Sequence, residues 1–119
     1  MVEEFDVIDA SGPTPDGKVG LMMFEPRNWS EPQRQLQELH KKTQAYLSYV
    51  VDGDMVRENP NYANRKVWVR LVCNVVPPPA ILPYLTHLKV ALAKHSIEFQ
   101  VAHYEPENPS TSVNNLVAI

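Results

Sequence analysis

Four histidines, one cysteine and a scatter of carboxylates are the residues of this chain with the most chemistry to offer. His40, His87, His95 and His103 match neither H-x-x-x-H nor H-E-x-x-H, the spacings that bring two imidazoles to one helix face for zinc. Cys73 stands in an alternating apolar run, so it belongs to a core face, and a thiolate–imidazole pair would need a distant histidine to meet it. A single cysteine also excludes an intramolecular disulfide and fits a reducing compartment. No serine stands in a G-x-S-x-G elbow. Asp6, Asp9, Asp52 and Asp54 are hard-cation ligands by type, but their spacing fails the calcium-loop register. Asp52-Gly53-Asp54 reads as a helix end and turn. Glu3, Glu4, Asp6 and Asp9 read as a solvated edge. These residues imply no catalytic group, no metal and no cofactor, and the chain is expected not to be an enzyme.

The aromatic and sulfur side chains are more telling. Aromatics and methionine are enriched at protein interfaces. Met22, Phe24, Trp68 and Val72 fall on one parity of two strand-like runs, which makes them the candidate interaction face. The occupant would be a protein partner or a second copy of the chain, a homodimer. Trp29, His40, Tyr46 and Tyr49 would line a pocket between the first long helix and the sheet. They carry the alternative reading, a small-molecule-binding domain or minor enzyme. Val117-Ala118-Ile119 has the look of an apolar peptide that pairs with a sheet edge or enters a carboxylate-capturing groove, but such endings are common by chance and a frayed or self-docked tail is the expectation.

The elements that must position these residues follow from periodicity and from proline. Residues 5–9 read as a short strand, followed by a turn-rich stretch with Asp16-Gly17. Residues 18–25 read as a second strand, stopped by Pro26. Ser30 reads as a helix cap with Gln33 at capping-box spacing, and Pro32 suits the first turn. Leu36, Leu39, Thr43, Tyr46, Leu47 and Val50 then follow one helical face to about Asp52, with Gln35, Glu38, Lys41, Lys42 and Gln44 on the remainder. Gly53 suits a left-handed end. Residues 54–65 read as a polar connection. Residues 66–76 alternate strongly and read as a central strand, residues 80–95 as a second helix, and residues 97–104 as a last strand. The order ββαβαβ predicts a two-layer α+β sandwich, a four-stranded mixed sheet with two helices on one face. Residues 1–104 form the single domain and residues 105–119 a flexible tail. The 11 prolines, against 4 glycines, fall between these elements rather than inside them, and so few glycines leave no phosphate-cradling loop.

Charge narrows the partners. The chain of 119 residues carries 11 Lys and Arg against 14 Asp and Glu, a net −3. Residues 1–60 hold 11 acids and 6 bases; residues 61–119 hold 3 acids and 5 bases. An acidic balance argues against a duplex nucleic-acid partner, whose phosphates reward a basic patch. The acidic beginning has no signal-peptide pattern, and no apolar run reaches the length of a membrane span. A cytoplasmic location is the expectation.

Several segments together resemble a family of small uncharacterised bacterial proteins. They are Asp6-Val7-Ile8-Asp9, Gly17-Lys18-Val19, Trp29, Leu36-Gln37 with Lys41 or Lys42, Tyr46-Leu47, Val50, Asp52-Gly53, Pro60 and the valine-rich residues 67–72. The likeness spans about residues 5–104. It implies a bacterial α+β domain, and it carries over no activity and no site residue. The resulting expectation is a non-enzymatic interaction module: an adaptor, a regulator or an immunity-type protein.

Overall fold

The computed structural model describes residues 1–105 and 116–119. Its strands are β1 (Ala10–Pro13), β2 (Val19–Glu25), β3 (Val67–Cys73), β4 (Ile97–His103) and β5 (Leu116–Val117). Its α-helices are α1 (Pro32–Val51), α2 (Asp54–Glu58) and α3 (Leu82–Ala93), with one 3-10 turn at Pro60–Tyr62. The sheet order follows the chain, β1 to β5. The outer pairs β1–β2 and β4–β5 are antiparallel, and the inner pairs β2–β3 and β3–β4 are parallel.

The α+β class and mixed sheet match the sequence expectation, whereas the predicted four strands in ββαβαβ order do not. The sheet has five strands, and a short third helix and a 3-10 turn fill the connection at 54–65. Residues 106–115, most of the predicted tail, lie outside the described residues. At its end Leu116–Val117 pair with Val101 and Ala102 of β4.

The first strand is also displaced. Ladder pairing with β2 starts at Ala10 opposite Met22, while residues 5–7 lie in turns and a bend and residues 8–9 are irregular. The cause lies at Phe24. Its N–H donates to Asp9 Oδ2 at 3.0 Å, and its carbonyl accepts the Val2 N–H at 3.0 Å. A side chain and a distant backbone group thus take the bonds that a longer β1 would have made. Pro13 ends β1 on the sheet's outer edge, where a missing N–H breaks no ladder.

Alternation decides which face is core. Val19, Leu21 and Met23 of β2, Val67, Val69, Leu71 and Cys73 of β3, and Ile97, Phe99 and Val101 of β4 share one parity. They form one buried cluster with Leu39 and Tyr46 of α1, Met55 of α2, and Leu85, Leu88 and Leu92 of α3. All three helices therefore pack on that face.

The ends of α1 follow backbone chemistry. Ser30 is not its cap. Glu31 takes that place, and the Gln35 side chain accepts the Glu31 N–H at 3.1 Å. At the other end Gly53 takes φ +92°, a left-handed value that a Cβ disfavours.

Candidate functional site: the sheet face opposite the helices

Strand register builds this face as three rows. Gly20, Trp68 and Glu98 lie side by side across β2, β3 and β4. Met22, Arg70 and Gln100 form the next row, then Phe24, Val72 and Ala102. The four predicted interaction residues, Met22, Phe24, Trp68 and Val72, thus stand together on the face away from the core cluster. Met22, Phe24 and Trp68 are half-buried, and Val72 is 2% exposed.

Trp68 is held flat by its neighbours. A Cβ at Gly20 would fall 2.3 Å from the indole Cη2, so only glycine lets the ring lie on the β2 backbone. The Arg70 guanidinium carbon stands 4.4 Å from the centre of the Trp68 ring, within cation–π range. Arg70 Nε donates to Gln100 Oε1 at 2.8 Å, and Gln100 Nε2 donates in turn to Glu98 Oε2. Burial lowers the Arg70 pKa from its ordinary value, opposed by the charge of Glu98. A chain of glycine, indole, guanidinium, amide and carboxylate thus runs across the middle of the sheet.

The four predicted pocket residues do not meet in one cavity among the described residues. Trp29 lies in the loop after β2, where its Nε1 donates to the Val75 carbonyl at 3.1 Å. His40 is exposed on α1, beside Leu36 and Tyr84 in a shallow depression. Tyr46 is fully buried; its hydroxyl donates to the Met22 carbonyl at 2.7 Å and accepts the Asp9 N–H at 2.9 Å. Tyr49 donates to Glu58 Oε2 at 2.7 Å, and burial with the Glu58 charge pushes its pKa up to about 12. The physical reason is helix geometry. At about 100° per residue His40 stands about 120° around α1 from Tyr46 and about 180° from Tyr49, so it faces other surroundings, while Tyr46 is taken into the core and Tyr49 is tied to α2.

Sequence reasoning missed two buried polar clusters. Lys42, placed on the solvent side by its type, is 0% exposed. Its Nζ donates to the carbonyls of Met1 and Glu4 at 2.5 and 2.9 Å and to Asp9 Oδ1 at 2.7 Å. Asp9 belongs to no solvated edge: its side chain is 4% exposed. Burial raises the Asp9 pKa, but the hydrogen bonds from Lys42, the Met1 amine and the Phe24 N–H outweigh it, and the net shift is downward. In the second cluster Glu25 receives Arg27 Nε at 3.1 and 3.0 Å, Arg27 Nη2 at 2.8 Å and Gln35 Nε2 at 2.9 Å. Arg27 reaches on to Glu38 at 3.1 Å. The signal available in sequence was spacing: Gln35, Leu39, Lys42 and Tyr46 step by 4, 3 and 4, so both polar residues ride the core stripe.

Cys73 lies in the core, opposite Glu25 in register. Burial first, and the Glu25 charge second, push its thiol up to about 12, which leaves it protonated and a poor nucleophile. Among the described residues no group of three or more His, Cys, Asp or Glu could hold a metal ion, and no helix is long and apolar enough to cross a membrane.

The model of a family of unknown function, DUF6572, matches residues 1–105, and the chain belongs to that family. No curated protein and no solved structure matches the chain.

Proposed function

We propose that this domain is a non-enzymatic protein-interaction module that docks its partner on the sheet face opposite the helices. The Trp68–Arg70 stack carries the reading. Tryptophan and arginine lead the residue types that dominate binding energy, and here the two are stacked on β3 beside half-buried Met22 of β2. Guanidinium on indole is a preformed plate that loses little side-chain freedom when a partner closes over it. The buried titratable groups support the same reading from the other side. Lys42 and Glu25 are engaged in hydrogen bonds that hold the fold, and Cys73 is protonated. The partner is a second protein, as for an adaptor, regulator or immunity-type protein, or another copy of the chain.

The test is affinity capture from an extract of the source organism, with sedimentation velocity on the purified chain for self-association. Trp68→Glu should weaken the complex or dimer at least thirtyfold, as expected of a central hot spot worth about 2 kcal/mol or more. Val90→Glu, on an exposed position of α3, should leave it intact. A partner retained by a folded Trp68→Glu variant overturns the proposal. So does a wild-type chain that is monomeric at all concentrations and recovers no stoichiometric protein.

A further inference from the structure

A cleft of about 480 Å³ opens at the end of the sheet where β3 and β4 begin, next to the last turns of α3. Lys18, Lys66 and Lys89 line it, with Glu98 as its one acid. Three lysines around one cleft run against the charge of a chain whose net is −3. The arrangement is built by the fold. The Val19 N–H donates to the Lys66 carbonyl at 2.9 Å, which sets Lys18 and Lys66 side by side at the sheet's end. Lys89 approaches from α3, one turn before Ala93, which also lines the cleft. Their ion pairs within the fold are few. Lys18 meets Asp16 only at 3.7 Å, Lys89 donates to an Ile119 main-chain oxygen at 3.2 Å, and Lys66 forms no ion pair among the described residues.

The rest of the lining is the half-buried Trp68 indole, Ala93 and Ser96, with the buried Val67, Ile97 and Phe99 behind them. We infer that this cleft binds a small organic anion, a carboxylate or phosphate head on a flat apolar or aromatic body. The lysines would take the head, and the exposed part of the indole the body. The volume lies within the range of about 300–1,000 Å³ usual for small-molecule sites. Like charges at close quarters repel, and a bound anion relieves that repulsion, so affinity should fall as salt screens it. The site is separate from the docking reading, although Trp68 borders both.

The test uses phenyl phosphate, benzoate and inorganic phosphate as probes, followed by amide NMR shifts on the full chain. Phenyl phosphate or benzoate should give saturable shifts confined to residues 66–68, 89–93 and 96–98. Inorganic phosphate should bind at least about tenfold more weakly, because it has no body to bury. Lys66→Gln with Lys89→Gln should lower affinity for the organic probes at least about tenfold, as lost charged hydrogen bonds imply. Lys41→Gln, on α1 and outside the cleft, should leave affinity unchanged. The inference is overturned by shifts that do not saturate or that spread over the whole surface. It is equally overturned by inorganic phosphate binding as tightly as phenyl phosphate, or by a double variant that binds like the wild type. Loss of the docked protein partner on Trp68→Glu, with these lysine variants still holding that partner, would separate the two sites.

Discussion

Lys42→Met replaces a buried ammonium with an apolar side chain of similar length. Three acceptors then lose the Lys42 donor: the carbonyls of Met1 and Glu4 and the Asp9 carboxylate, whose side chain is 4% exposed and keeps only the Met1 amine and the Phe24 N–H. Removing one partner of a buried ion pair costs roughly 3–5 kcal/mol, because the remaining charge stays desolvated. An unfolding entropy of about 2.1 cal/mol/K per residue makes each kcal/mol worth about 4 °C for a chain of this length. The melting temperature should therefore drop by roughly 12–20 °C. Circular-dichroism melts measure it directly. A double-mutant cycle with Asp9→Asn should show a coupling of about 2 kcal/mol, since the second change removes a charge that has already lost its buried ammonium partner. Acid supplies an independent readout. The Asp9 pKa is lowered in the folded state, so its contribution is fully present above the ordinary carboxylate value of 3.8 and is lost as pH falls through the lower folded value. The stability gap between wild type and Lys42→Met should narrow over that acid range. A loss of under about 4 °C at neutral pH, or a gap that acid leaves unchanged, would refute the reasoning.

Two further outcomes follow from packing. Gly20→Ala puts a methyl 2.3 Å from the Trp68 indole, so the ring must leave the strand, at about 1–3 kcal/mol for overpacking, and Trp68 emission should shift red in a Trp29→Phe background. Unchanged emission would mean that the indole does not rest on Gly20. The Cys73 thiol, with its pKa pushed up to about 12 by burial and the Glu25 charge, should resist a disulfide reagent at pH 8 in the folded chain and react fully in denaturant. Prompt reaction without denaturant would contradict that burial.

Local rules made most elements legible. Alternation in β3 and β4 and the turn chemistry at Gly53 depend on neighbours in sequence, and they read correctly. The same alternation put Met22, Phe24, Trp68 and Val72 on one parity, and parallel register then made them neighbours in space. What stayed hidden depends on tertiary partners. β5 is two residues long, too short to show a period. The displacement of β1 depends on Asp9, whose partners Phe24 and Lys42 lie 15 and 33 residues away. Lys42 and Gln35 were assigned to solvent by residue type, although their spacing with Leu39 and Tyr46 put them on the core stripe. Periodicity gives the position of a side chain, and type gives only a prior on its burial. Where the two conflict, a buried polar residue with distant partners is the physical resolution.

That resolution also bears on function. A buried polar group can be there for chemistry or to hold the chain, and saturation separates the two. The Lys42 ammonium has three donors and three acceptors in reach. Glu25 accepts from both Arg27 and Gln35, and Tyr46 both donates and accepts. The Lys42 ammonium so engaged has no donor left over. The bonds of these groups tie the first nine residues and the β2–α1 loop to the helix layer, which is where the core face needs closing. On the other face, Gly20 keeps the β2 backbone bare so that an indole can lie on it, and Arg70 is layered against that ring. A side chain at Gly20 and a smaller residue at position 68 would serve the sheet as well. The proposed docking function gives a flat aromatic plate at that position a role.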